Sequence, residues 1–371
     1  MGIISPEKVL KKIKKLVFPK KSKPNLWAQE FTQIEMSLPV HLLVATTFKC
    51  SARCPHCMLL QQNRKAFHDH PFMEDDLFAR LMASPFTKNV HTIGLGGGEA
   101  LLHPKVFEWA SQAKQRGIPR VTLFSNGLSL QDDKIVNSLL KQDNIDQFNI
   151  SLDSTTAEGF CRARGIKQCD FEKICGAASR IANRFRGTNT LISGSFVTYG
   201  LHAEEMLKIL TFCEPIGLHK VKFYTFHQAA STGHEPAESR ESDEIKAGLD
   251  QITKRKDYKF DISIQLPLAF ARKAYYCPSL SNYLCVGATG YLAPCCHMPW
   301  DEKYGHFDEA DTNPINHPRI TALRNQFILA AAQKDPSLLP EPCHFCNKRT
   351  LDTVSFVADR RKWRKKIRLE L

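Results

Sequence analysis

The sequence predicts an α/β fold built on a parallel sheet, and three observations carry that reading. From residue 39 a strand-length apolar run and an amphipathic helix-length run alternate six times. The first four strands are each followed by a glycine-rich or polar stretch, the pattern of a site built at strand C-terminal ends. Near residue 257 the rhythm stops, and a segment rich in proline, cysteine and aromatic residues reads as a smaller α+β unit.

The strands are expected at 39–47, 90–95, 120–125, 147–152, 190–198 and 220–226, each rich in β-branched and aromatic residues. The helices are expected at 72–84, 104–117, 132–142, 171–185, 204–217 and 242–256. Six βα units with right-handed crossovers form either an α/β barrel or an open doubly wound sheet. Four segments fall just after strands: residues 50–57, Gly96–Glu99, Ser125–Gly127 and Ser151–Asp153. They converge on one rim. The chain divides into a basic segment (1–38), the βα body (39–256), the cysteine-rich unit (257–358) and a basic tail (359–371).

Charge is distributed unevenly. The net charge of +13 looks like a nucleic-acid signature, yet residues 1–24 carry +7 and residues 359–371 carry +5. The other 334 residues are nearly neutral. In the N-terminal segment Ser5 and Pro6 open a helix whose apolar stripe is Val9, Leu10, Ile13, Leu16 and Val17. Trp363, Ile367 and Leu371 recur every four residues near the other end. Such helices either pack on the body or lie on an anionic membrane surface. No run approaches the roughly 20 apolar residues of a membrane span, and no secretory signal follows the first lysines. Thirteen cysteines then read as metal ligands and buried thiols in a reducing cytoplasm, with attachment to the inner membrane face open.

Cys50, Cys54 and Cys57 crowd three thiols into eight positions. A zinc site wants four ligands, usually as two pairs. A cubane iron–sulfur cluster is held by thiolates, and three leave one iron open. "GLGGGE" follows the second strand, where missing side chains let the backbone come close to a partner and Glu99 offers an acceptor.

Together, Cys-x3-Cys-x2-Cys after strand one and Gly-Gly-Glu after strand two resemble the radical S-adenosylmethionine (SAM) superfamily. The resemblance spans about residues 39–256 and implies a partial (βα)6 TIM-like barrel. It also implies reductive SAM cleavage at a [4Fe-4S] cluster, and a 5′-deoxyadenosyl radical that takes hydrogen from a substrate. Cys50, Cys54 and Cys57 match the cluster ligands, and His56 the usually aromatic position before the third. Gly97, Gly98 and Glu99 match the contact to the methionine amino group, although Ala100 stands where the family usually has proline. Ser125 and Asn126 match a ribose-contacting turn, while Ser151 and Arg164 match the pair that holds the SAM carboxylate. Simpler roles are a turn at Ser125–Asn126, a helix cap at Asp153 and a surface cation at Arg164.

In the second unit Cys277-x12-Gly290-x4-Cys295, with Cys343 and Cys346 beyond it, resembles the SPASM/twitch extension of these enzymes. The three further cysteines of a full SPASM pattern are missing after Cys346, so the shorter form with one auxiliary [4Fe-4S] cluster is implied. Zinc is the alternative for four separated thiols. Of the six other cysteines, Cys175 and Cys213 on helix apolar positions and Cys285 in a strand read as buried packing thiols. Cys296, next to Cys295, points away from it in an extended segment; Cys161 and Cys169 carry no assigned role. Tyr199, His202, His227 and Gln228 follow strands five and six and can face substrate; no catalytic residue is assigned.

The expected function is therefore radical oxidation or rearrangement of a small molecule, with an external one-electron donor such as flavodoxin or ferredoxin. Thirty-eight residues before the first strand are too few for a leader-binding domain, which favours a small molecule over a peptide. The alternatives are a peptide-modifying enzyme, a membrane-associated enzyme acting on a lipid or lipid-linked sugar, and a metal-stabilised module binding nucleic acid through its tails.

Overall fold

The expected alternation is present, and the sheet it builds runs further than the sequence pattern. The computed structural model describes residues 41–57, 59, 72–198, 203–225, 251–252, 257–265, 277, 279–298, 300, 302–309, 313–344 and 346, plus strands at 353–357 and 364–368. The expectations for residues 1–38, for Tyr199, His202, His227 and Gln228, and for most of 242–256 lie outside them.

The body runs β1 (His41–Thr47), α1 (Asp75–Ala83), β2 (Thr92–Gly97), α2 (Val106–Gln115), β3 (Arg120–Ser125), α3 (Asp133–Leu139) and β4 (Gln147–Ser151). It continues through α4 (Ala157–Arg164), α5 (Phe171–Arg184), β5 (Leu191–Thr198), α6 (Ala203–Ile216) and β6 (Lys220–Thr225). Then come β7 (Asp261–Gln265), α7 (Ser279–Asn282), β8 (Tyr283–Val286), β9 (Leu292–Ala293), α8 (Pro318–Gln333), α9 (Glu341–His344), β10 (Thr353–Val357) and β11 (Arg364–Arg368). Local chemistry sets these elements. Asp170 caps α5 by accepting from the Lys173 amide, and Phe171, Ile174, Ala177, Ala178, Ile181 and Ala182 form its buried stripe.

All eleven strands form one open sheet in the order β11-β10-β7-β6-β5-β4-β3-β2-β1-β8-β9. The stretch from β8 through β1 to β7 is parallel throughout, and the outermost strands are antiparallel. This is the open, partial TIM-like arrangement. Along β4, Phe148 and Ile150 are buried in the core, whereas Gln147, Asn149 and Ser151 alternate onto the other face.

Two features depart from the sequence pattern. The sheet crosses the boundary drawn at 256–257: β7 pairs parallel with β6, and β8 pairs parallel with β1. Four strands of the second unit and one of the tail thus extend both edges of the body's sheet. Register across distant segments has no local sequence signal. In the tail, where the apolar recurrence predicts a helix, Arg364–Arg368 forms an edge strand paired with β10. A spacing of four falls on one face of a strand as well as of a helix. The basic residues suit an edge, since charge there blocks pairing with another chain. Among the described residues no helix is long and apolar enough to cross a membrane.

The second strand and its helices rest on a buried aromatic stack. Trp109 of α2 lies 4.2 Å from Phe78 of α1, ring on ring, and 4.0 Å from His103. Trp109→Ala is expected to cost about 3–5 kcal/mol. Urea unfolding of the two proteins side by side measures it; a loss under 1 kcal/mol would mean that the stack does not hold α1 to α2.

Candidate functional site

The three thiols lie on the loop after β1, all half-buried. The loop turns tightly: the Cys57 amide donates to the Cys54 carbonyl at 3.0 Å. Two neighbours clamp it through the main chain. On one side the Gly98 amide donates to the Thr47 carbonyl (2.7 Å) and the Glu99 amide to the Lys49 carbonyl (2.8 Å). On the other, the Arg53 amide donates to the Arg164 carbonyl at 2.7 Å. Both clamps need glycine. A Cβ on Gly98 would stand 2.3 Å from the Lys49 carbonyl oxygen, and one on Gly165 2.2 Å from that of Arg53. The glycines of the β2 loop thus bring the loop's own backbone close, which is the local reason for "GGE".

Glu99 is fully buried. Its carboxylate accepts from the Asn126 amide at 2.6 Å, the Ser125 hydroxyl at 2.9 Å and the Leu101 amide at 3.3 Å. Burial pushes its carboxyl up in pKa, against the pull of those donors. In the structure its oxygens tie the loop after β2 to the turn after β3.

Arg164 is likewise turned inward. Its guanidinium is paired at 2.6 Å with Asp153, the two side chains being 2% and 3% exposed. Nε donates to the Asn126 carbonyl at 2.9 Å, Nη2 donates to the Ser151 carbonyl, and Nη1 also lies 3.8 Å from the Cys54 sulfur. Phe160 lies against it, 5.0 Å from ring centre to guanidinium. Burial opposes its charge most strongly, but the Asp153 carboxylate and the Cys54 sulfur beside it together raise its pKa. The carboxylate paired with Arg164 in the structure is that of Asp153. Asp153 caps no helix: Thr156 caps α4, accepting from the Gly159 amide at 3.1 Å. The α4 helix is absent from the sequence expectations because few of its residues face inward; Thr156 before it and Gly165 after it are the signals that mark it.

The thiols sit in a setting that suits soft metal chemistry. Burial pushes the Cys50 thiol up and the Cys54 thiol to about 11, the latter against the nearby Arg164. Asn126 donates its side-chain amide to the Cys50 sulfur at 3.3 Å. His56, beside Cys57, is held below the usual imidazole range by burial. Three sulfur donors with hydrogen-bond donors aimed at two of them fit an iron–sulfur cluster. Among the described residues no three Cys, His, Asp or Glu side chains gather closely enough for a single metal ion. Donor chemistry carries the fit.

The sequence-derived residues of the body thus come together: Cys50, Cys54, Cys57, Gly97, Gly98, Glu99, Ser125, Asn126, Ser151 and Arg164 are joined by the contacts above or adjoin them in the chain. Next to them, on the face of the sheet away from the body's core, lies a polar ladder. The Asn149 carbonyl oxygen accepts from Ser193 Oγ (2.9 Å) and Lys222 Nζ (3.2 Å), and its amide donates to Ser195 Oγ at 3.1 Å. Ser195 reaches Ser151 at 3.5 Å. Phe124 and Tyr224, at strand positions of the same parity, are 37% and 38% exposed. The rungs Asn149, Ser193 and Ser195 are themselves buried, and the alternation of the strands carried no label for this face, because it takes the sheet register to bring the rungs side by side.

In the second unit Gly290 makes the hairpin turn between β8 and β9 at φ +83°, its amide donating to the Gly287 carbonyl at 2.9 Å. Cys277, Cys295 and Cys343 are buried and Cys346 is half-buried. Cys285 is buried in β8, as its strand position implies. Cys161 and Cys169 meet at 3.1 Å between sulfurs, a pairing that packing alone did not foretell.

The sequence model of the radical SAM superfamily matches residues 44–213. A probable GTP 3′,8-cyclase from Methanocaldococcus jannaschii is 24% identical over 267 residues, 68% of this chain and 84% of the relative. A GTP 3′,8-cyclase from Chlorobaculum tepidum is 29% identical over 146 residues, 38% of this chain and 40% of the relative. Among solved structures, Streptococcus suis SuiB bound to the precursor peptide SuiA superposes with a TM-score of 0.63 at 14% identity, covering 87% of this chain and 73% of SuiB. Native anSMEcpe with bound AdoMet gives 0.57 at 15% identity, covering 83% and 89%.

Gly98→Ala tests the clamp. Its methyl group would meet main-chain oxygens at 2.3 and 2.7 Å, so the cysteine loop must shift. The expected result is about 1–3 kcal/mol of lost stability and less iron bound per chain after anaerobic reconstitution. Iron content equal to that of the parent would show that the loop tolerates the displacement.

Proposed function

Taking as premise that the chain is a radical SAM superfamily enzyme, we propose that it abstracts hydrogen from a small polar molecule seated over the inner face of its half-barrel. One observation carries the reading: the half-buried Cys50–Cys54–Cys57 loop adjoins, through Asn126, Arg164 and Ser151, a polar ladder flanked by exposed Phe124 and Tyr224. Cys50, Cys54 and Cys57 would hold three irons, leaving the fourth for SAM. When bound, this pair supplies the 5′-deoxyadenosyl radical characteristic of the superfamily. SAM would lie along the rim formed by Gly97, Gly98, Ser125, Asn126 and Ser151. Lys222, Asn149, Ser193 and Ser195 would orient polar groups of the substrate, and the two rings would cover an apolar or planar part.

We assign a second cluster to Cys277, Cys295, Cys343 and Cys346. Four thiols would leave that cluster no open iron, so its role is electron transfer from the substrate radical or holding the second unit folded. Support for a nucleotide-like substrate comes from the relatives named as GTP 3′,8-cyclases, one of which this chain matches over 84% of its length. A cation, hydroxyl groups and exposed aromatic rings on one face are the groups a nucleotide requires. The neighbours with peptide substrates share the fold at 14% identity or so, which leaves a peptide as the second reading.

Two measurements test this. Three plus four thiolates imply two cubanes, about eight irons per chain after anaerobic reconstitution. Replacing Cys50, Cys54 and Cys57 with alanine should remove about half of the iron and all reductive SAM cleavage; continued cleavage would exclude the loop. Separately, GTP deuterated at C3′ is incubated with reconstituted protein, SAM and a reductant, and mass spectrometry follows deuterium into 5′-deoxyadenosine. Transfer supports a cyclase-type substrate. Deoxyadenosine free of deuterium removes GTP as the substrate while leaving SAM cleavage in place.

A further inference from the structure

We propose that the side chains of Asn126 and Arg164 set the reduction potential of the cluster held by Cys50, Cys54 and Cys57, by donating to the sulfurs of Cys50 and Cys54. The inference rests on the cluster assignment above and gives these two residues a role besides any contact with SAM. Every other polar atom of Asn126 is committed. Its amide donates to Glu99 Oε2 at 2.6 Å, its carbonyl accepts from Arg164 Nε at 2.9 Å, and its Oδ1 accepts from the Leu128 amide at 2.8 Å. That last bond fixes which end of the side chain is nitrogen. Nδ2 therefore faces the Cys50 sulfur, 3.3 Å away. Arg164 Nη1, held by Asp153, points at the Cys54 sulfur from 3.8 Å.

The electron count is simple. Reduction of the cluster from the 2+ to the 1+ state adds one electron from the external donor, and the extra negative charge spreads onto the thiolate sulfurs. A hydrogen-bond donor or cation at those sulfurs stabilises the reduced form and raises the potential. Arg164 is partly neutralised by Asp153, so its effect is that of an oriented dipole. Asn126 acts without a counter-charge.

Asn126 is the residue to change, because removing Arg164 would leave the Asp153 carboxylate buried without its partner. Asn126→Asp keeps the shape and the Oδ1 acceptor for Leu128, but turns an oxygen toward Cys50. Holoprotein is poised at a series of potentials without SAM, and the reduced cluster is counted by electron paramagnetic resonance, with iron content measured alongside. The expected midpoint is lower than the parent's by at least 59 mV, a tenfold change for one electron. Asn126→Ala removes the donor without adding charge and should shift the midpoint in the same direction by less. An unmoved midpoint at full iron content overturns the proposal, as does weaker SAM binding with no shift, which would return Asn126 to a ligand contact. Loss of the cluster in both variants also overturns it and assigns Asn126 to holding the loop. A parent without any reducible cluster would instead defeat the assignment on which the proposal rests.

Discussion

The buried ion pair between Arg164 and Asp153 is the constraint on which the rest of the site depends. Two charges out of water are tolerated only with close pairing and further hydrogen bonds, and removing one partner typically costs about 3–5 kcal/mol. Here the pair is fully enclosed and each member has other work. Asp153 adopts the left-handed region at φ +54°, an uncommon conformation for a residue with a side chain. That bend lets one carboxylate oxygen accept from the Val197 amide of β5 at 2.7 Å while the other takes Arg164. Arg164 then reaches the ends of β3 and β4 and the cysteine loop together. Three chain segments share one guanidinium.

A second constraint is backbone proximity. The cysteine loop has few side chains with which to hold itself, since three of its eight positions are thiols reserved for other chemistry. It is instead gripped by main-chain hydrogen bonds from Gly98, Glu99 and Arg164, at distances that only glycine at 98 and 165 allows. Glu99 extends the same logic, joining two loops with a buried carboxylate that three donors satisfy. Rigid support of this kind keeps thiols in place.

The second unit is more than an appendage. Its strands lengthen the sheet at both edges, with β8 against β1 and β7 against β6, so the cysteines between those strands are tied to the body by sheet hydrogen bonds. An edge left open invites pairing with other chains. Here the outermost strand at one end is the basic segment Arg364–Arg368.

Periodicity and spacing by themselves determined the strand–helix order of the body, the position of the cysteine loop after β1 and the "GGE" loop after β2. Those are local properties: an apolar repeat, a turn residue, thiols a fixed number of positions apart. The motif also identified Asn126 and Arg164 as important, but only the tertiary structure decided what they touch. Whether a guanidinium faces a ligand or a neighbouring Asp153 depends on a short helix, α4, whose polar sequence hides it, and on the turn geometry that aims Asp153 at it. The strand pairing of residues 261–265, 283–286 and 364–368 was likewise decided by long-range register. A spacing of four is equally a strand's and a helix's, so the choice fell to whichever neighbour the folded sheet supplied.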